Sequence, residues 1–283
     1  MKIGICASTF SKKGFGRFGE NTYNKLKEFG FSATDFGMMD TDSVIYTANR
    51  RESDALLIRE RELANKASME IFQVHGPWRY PPQDFTKEDR AERIEKMKFS
   101  IYAASVLGAK NWVIHPLMPF GIDDIETFHE KETREINAEF LTDLLRTAKK
   151  YSIIICLENM PFRNFSLSSP EKVLDIVNAV NDDNLRICLD TGHVNVLGLD
   201  LAEEVYRIKD KLQVLHVHDN FGNDSHFLPY IGNINWIKFG KALKDVGFNG
   251  VFSLETSPPK LLPDELFEKA SKLVCDTVKY IIK

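Results

Sequence analysis

No run of about 18 apolar residues, the length a membrane-spanning helix needs, occurs in this 283-residue chain. Its opening segment MKIGICASTF also lacks the apolar core of a secretion signal. Both observations predict a cytoplasmic protein with no membrane partner. Cysteine is scarce: Cys6, Cys156, Cys188 and Cys275 are the four, and no two form a C-x-x-C pair. No cysteine-based metal site or redox couple is expected from this spacing, and the cysteines read as small core residues. Positive charge is in deficit, with 37 Lys and Arg against 41 Asp and Glu for a formal charge of −4. The composition supplies no basic face for nucleic acid. No linker, low-complexity tract or charge block interrupts the chain, which reads as a single domain over residues 1–283.

What is present is a repeated alternation. Strand-like runs start at Lys2 (KIGICA), Phe31 (FSATDF), Glu70 (EIFQVH), Asn111 (NWVIHP), Ser152 (SIIICLE), Leu185 (LRICLD), Leu212 (LQVLHVHD) and Val251 (VFSLE). Most are continuously apolar, as parallel strands covered on both faces should be. Helical stretches lie between them. Thr86 caps one that Gly108 stops, with Asp89 completing a capping box. Ser169 and Pro170 open another. Asp123 or Asp124 opens a long amphipathic helix ending near Lys150, and a last helix begins at Asp264. Eight strands alternating with helices predict an α/β fold, a single (β/α)8 TIM barrel, for which a length near ~250 residues is ordinary.

Nine metal-capable residues punctuate this pattern. His75, His115, Glu158, Asp190, His216 and Glu255 each follow an apolar run, at gaps of 40, 43, 32, 26 and 39 residues. Each gap fits one strand, one helix and two loops. His193 closes CLDTGH, and Asp224 and His226 form a D-x-H behind the His216 run. In a barrel the chemistry sits at the C-terminal strand ends, which is where these residues fall. Carboxylates gathered there would repel one another unless a cation neutralised them. Mixed carboxylate and imidazole donors suit Zn, Mn, Co or Fe. His218 shares strand parity with His216 and rivals it for the same role. His129 lies in a polar helical stretch and reads as solvated.

Two other features invite readings. Gly14-Phe-Gly16-Arg-Phe-Gly19 spells G-x-G-x-x-G, and Asp35 lies where a dinucleotide fold would place its ribose acid. The glycines start several residues after the strand, however, and Phe and Arg would crowd a pyrophosphate, so a rim loop is the better assignment. Lys12, Lys13 and Arg17 there are candidates to meet a phosphate or sugar hydroxyl. Trp78, Tyr80, Phe120, Phe162 and Trp236 lie just beyond strand ends, placed either to stack on a sugar or to pack the rim.

The pieces VHGPW at His75, LGAKNWVIHP at His115, CLENMP at Glu158, CLDTGH at Asp190, LHVHDN at His216 and FSLET at Glu255 resemble the xylose-isomerase-like barrel superfamily. That superfamily includes sugar and sugar-phosphate isomerases and epimerases, inosose dehydratases and endonuclease IV. The resemblance implies one divalent metal held by Glu158, Asp190, His216 and Glu255. His216 is favoured over His218 because His216-x-x-Asp219 matches the family pattern. His75, His115, His193, Asp224 and His226 are further candidate ligands, completing counterparts of the endonuclease's three-zinc site.

The implied activity is a metal-dependent isomerase or epimerase acting on a small sugar, polyol or sugar phosphate through a metal-stabilised enediolate. Glu158 and Glu255 would move protons on opposite faces of the substrate, and His193 would contact a hydroxyl or hold a second metal. The implied alternatives are an abasic-site endonuclease with up to three zinc ions and a barrel that binds metal without catalysis. Against the endonuclease, HDNFGND after His216 holds no Lys or Arg, where that enzyme is basic and serine-rich. The arginine that ketose epimerases place after this strand is also missing.

Overall fold

A computed structural model describes residues 1–7, 11–12, 15–16, 19–78 and 84–283. Eight parallel strands make the barrel: β1 (Lys2–Cys6), β2 (Ala33–Gly37), β3 (Glu70–His75), β4 (Asn111–Ile114), β5 (Ile154–Glu158), β6 (Leu185–Asp190), β7 (Leu212–His216) and β8 (Val251–Leu254). Their order is β8-β1-β2-β3-β4-β5-β6-β7. The seam between β7 and β8 is closed by one parallel bridge, Val217 to Leu254, in which Val217 N–H donates to Ser253 at 2.9 Å and Glu255 N–H donates to Val217 at 3.0 Å. Eight outer helices follow the strands: α1 (Thr22–Phe29), α2 (Arg50–Lys66), α3 (Lys87–Leu107), α4 (Glu130–Tyr151), α5 (Pro170–Val180), α6 (Leu201–Ile208), α7 (Trp236–Asp245) and α8 (Asp264–Ile281). The (β/α)8 TIM barrel predicted from the alternation is the observed fold. Among the described residues no helix is long and apolar enough to cross a membrane.

The strands are buried on both faces, which explains their unbroken apolar runs. The larger core lies between strands and helices, with Trp112, Phe239 and Phe252 fully buried. A second, small cluster fills the barrel itself: Val113, Cys156, Cys188 and Val214, from four neighbouring strands. All four cysteines are buried, in the role expected of them. Side chains alternate across a strand with a period of two. Two residues beyond these four interior positions come His115, Glu158, Asp190 and His216. Interior packing and strand parity thus aim the polar residues along the barrel axis.

Helix boundaries follow local chemistry. Thr86 accepts from Asp89 N–H at 3.0 Å, and the Asp89 carboxylate accepts in return from Thr86. Gly108 ends that helix at φ 84°, in the left-handed region that glycine tolerates. Thr86→Ala is expected to cost about 1 kcal/mol, read as a lower urea midpoint at unchanged slope.

One predicted start is corrected: α4 begins at Glu130, not at Asp123 or Asp124. Asp124 is fully buried and accepts from the backbone N–H and hydroxyl of Ser166 at 2.7 and 2.6 Å. It ties the loop after β4 to the loop after β5 instead of capping a helix. His129 is also not free in solvent. It is half-buried, with its ring stacked on Phe120 at 4.2 Å.

Candidate functional site

The C-terminal strand ends surround a cavity of about 600 Å³. His75, His115, Glu158, His193, Asp224, His226 and Glu255 form its polar side, and Met39, Trp78, Met160, Pro161, Phe162 and Val196 its apolar side. No Lys or Arg appears among these described lining residues. Asp190 and His216 lie beneath, fully buried.

Glu158 is the hub. Its Oε1 is 3.0 Å from His216 Nδ1, and its Oε2 is 3.2 Å from His115 Nε2 and 3.5 Å from His75 Nε2. Across from it, Glu255 Oε2 is 3.2 Å from His216 Nδ1. On the far side, Asp190 lies 3.5 Å from His193 Nδ1 and 3.1 Å from His218 Nε2. Asp224 faces both His193 (3.6 Å) and His226 (3.3 Å). All nine predicted residues therefore meet in one connected cluster.

Local structure fixes each donor. Asp190 caps a short helix, Thr191–Val196, by accepting from His193 N–H at 2.7 Å. His193 thus sits in that helix's first turn. Its Nδ1–H donates to the Asn159 carbonyl at 2.7 Å, and Asn159 also pins Asp190 by two bonds between side chain and backbone. His75 Nδ1–H donates to the Gly76 carbonyl at 2.9 Å, and His226 Nδ1–H to the Glu255 carbonyl at 2.9 Å. In all three the Nε2 is left facing a carboxylate of the cluster. Imidazoles anchored at one nitrogen and aimed with the other are what a metal site requires. His226 adopts φ 48°, a left-handed conformation uncommon for non-glycine residues and held here by its neighbours.

The electrostatics suit the same purpose. Burial pushes His115 down to about 4, so it is neutral at pH 7 with a free lone pair. Burial opposes charge on His193, but Asp190, Asp224 and Glu158 outweigh it and lift its pKa to about 9. His226, against the same opposition, rises to about 10 beside Asp224 and Glu255. The neighbouring imidazoles hold Glu158, Glu255 and Asp224 below the usual carboxylate range, although burial works the other way. Glu158 Oε2 is buried with no hydrogen-bond partner. An orphaned carboxylate oxygen among imidazoles fits a bound cation, and triads such as His75, His115 and Glu158 have donor atoms within 4.8 Å of one another.

A pH dependence follows for the metal-free protein. Imidazoliums whose pKa lies above the ordinary 6.5 stabilise the fold fully below pH 6.5 and lose that contribution as pH rises through 9 to 10. His193 dominates, because partly exposed His226 is screened by solvent. The melting temperature in chelator is expected to fall between pH 6.5 and 10. A flat profile by calorimetry would contradict these ion pairs.

A family model described as xylose isomerase-like TIM barrel matches residues 23–274. The chain belongs to the xylose isomerase-like TIM barrel family. An uncharacterised protein of Methanocaldococcus jannaschii is 33% identical over 199 residues, covering 69% of this chain and 67% of its own. D-psicose 3-epimerase of Enterocloster bolteae is 23% identical over 265 residues, 90% and 82% of the two chains. Inosose isomerase of Bacillus subtilis is 27% identical over 197 residues, 66% and 69%. Among solved structures, a D-tagatose 3-epimerase-like protein superposes with a TM-score of 0.77 at 28% identity, covering 100% and 98%.

Other residues that the sequence singled out fall variously on this family fold. Trp78 and Phe162 line the cavity. Trp236 does not: it is buried in α7, and its Nε1–H donates to Asp219 at 2.8 Å. Lys13, Gly14, Arg17 and Tyr80 lie outside the described residues, as does the side chain of Lys12. Asp35 is no ribose acid. It is buried on β2 with its Oδ2 3.2 Å from His216 Nε2.

Sequence reasoning missed Asn159, Gln73 and the work of Asp219. Asp219 accepts from the backbone N–H groups of Tyr230 and Ile234, at 3.0 and 3.2 Å, besides Trp236. It thereby shapes the loop that carries Asp224 and His226. The signal was available, since buried polar side chains beside a ligand usually orient it or its loop.

Proposed function

We propose that this barrel is a divalent-metal-dependent isomerase or epimerase of a small sugar, polyol or sugar phosphate, and that the whole chain acts as one domain. The observation that carries the reading is His216 Nδ1 set between Glu158 Oε1 and Glu255 Oε2, at 3.0 and 3.2 Å, beneath a cavity of small-molecule size. The donor set fits a cation held by Glu158, Asp190, His216 and Glu255, with His75, His115, His193, Asp224 and His226 as further ligands or substrate contacts. Such a cation, when bound, supplies a Lewis acid that polarises a carbonyl and an adjacent hydroxyl.

The chain's own residues do the rest. Glu158 projects from β5 and Glu255 follows β8, so the two carboxylates approach a substrate from different sides of the mouth. One removes the proton from carbon beside the carbonyl, and the other returns a proton to the opposite face. Neighbouring imidazoles hold the abstracting carboxylate ionised, and the other must first take up a proton, from solvent or a substrate hydroxyl, to have one to return. His193, fixed by Asn159, presents Nε2 to a hydroxyl. Met160, Phe162 and Trp78 give an apolar wall for the carbon face of a sugar. Named relatives that are sugar epimerases and isomerases support the reading.

The test offers the purified protein, loaded with Mn, Co or Zn, a panel of ketoses and ketose phosphates in deuterated water, and separately a duplex with an abasic site. Deuterium at the carbon next to the carbonyl is the expected result. Duplex cleavage without sugar exchange would overturn the proposal in favour of a phosphodiesterase.

A further inference from the structure

Asp35 lies on β2 at 2% exposure, and among the described residues no Lys or Arg pairs with it. Two potential donors reach its Oδ2. Gln73 Nε2 donates at 2.8 Å, and His216 Nε2 is 3.2 Å away. Gln73 is fully buried and is the register partner of Asp35 across the β2–β3 pairing. The contact is therefore built into the barrel wall and does not depend on a mobile loop. A buried carboxylate is costly unless donors surround it. Among the described residues these are the two groups that face Oδ2, and hydrogen on His216 Nε2 completes the pairing that the buried carboxylate needs. With Nε2 turned to Asp35, Nδ1 is the nitrogen that faces Glu158 and Glu255, and it would give its lone pair to a cation bound between them.

We infer that Asp35, braced by Gln73, is a positioning residue that holds His216 in the Nε2–H form with Nδ1 directed at the cation site. The inference rests on the reading of His216 as a ligand given above. It assigns a role on β2, a strand that contributes none of the nine cluster residues. Asp35 touches neither substrate nor cation; it acts through the ring. The chain Gln73 to Asp35 to His216 is a carboxylate–histidine support of the kind that raises ligand basicity and fixes ring orientation.

The full-length protein would be titrated with Co²⁺ against a chromophoric chelator, and ¹⁵N-histidine spectra recorded on the zinc-loaded form. Asp35→Asn is expected to weaken Co²⁺ affinity about 10- to 100-fold and to shift or lose the slowly exchanging Nε2–H signal of His216. Gln73→Leu is expected to give a smaller loss in the same direction, and it decides the matter by the same two measurements if Asp35→Asn does not fold. A folded variant with unchanged affinity and an unchanged Nε2–H signal would overturn the inference alone. Failure of the unaltered protein to bind Co²⁺ would overturn the cation reading, and this inference with it.

Discussion

Glu158→Gln is expected to lower turnover on the order of 10²–10⁴-fold, the usual worth of a positioned acid or base, and to weaken divalent-metal binding in the same protein. The side chain is shared by both halves of the cluster, Oε1 toward His216 and Oε2 toward His115 and His75. Glutamine keeps the shape but loses the charge, and its amide would place N–H groups against imidazole nitrogens. His75, raised despite burial because Glu158 lies beside it, would lose that support, and His216, raised against burial by Cys188, Glu158 and Glu255 together, would lose part of it. The control is His129→Ala. That ring stacks on Phe120 and is not among the cavity-lining residues, so turnover is expected to stay near the unaltered value. Steady-state rates at saturating metal, with Co²⁺ titrations alongside, compare the two. Equal losses would reject the site.

Gly192→Ala is expected to be the most disruptive single-methyl change at the site. An added Cβ would lie 1.9 Å from Cε1 of His218, far inside van der Waals contact. The ring has little freedom to retreat. Its residue is held by reciprocal bonds with Thr191, and its Nε2 faces Asp190 Oδ2 at 3.1 Å. Overpacking of this kind typically costs about 1–3 kcal/mol, occasionally more, and here the strain passes directly to Asp190. Calorimetry should show a lower melting temperature, and the metal titration a weaker site even where the variant remains folded. A variant with native melting and native affinity would mean that the close approach of these two residues is not required.

The barrel was legible because its strands are covered on both faces, so each reads as an unbroken apolar run. The nine cluster residues were legible because each sits at, or shortly after, a strand's end. His75 and His115 could be marked from position alone. What remained hidden depended on the other direction, across strands. Asp35 stood out only as the place where a dinucleotide fold would put its ribose acid, since nothing in the order of residues reveals that it faces His216 some 180 positions later. Asp124 looked like a helix cap because Ser166, which captures it, lies in a different loop. Trp236 looked like a rim aromatic because its partner Asp219 lies in the loop before it. Local pattern gives periodicity and termini; partners brought together by folding leave no such trace.

The single bridge at the β7–β8 joint has a consequence for assembly. His216 stands on one side of that joint and Glu255 on the other, and Val217 and Glu255 supply the hydrogen bonds that fasten it. An ion gripped by both side chains would act as a rivet through the narrowest weld in the hoop. Loading should therefore slow hydrogen exchange most at Val217 and Glu255, and an incomplete chain lacking its last strand would have no grip to offer.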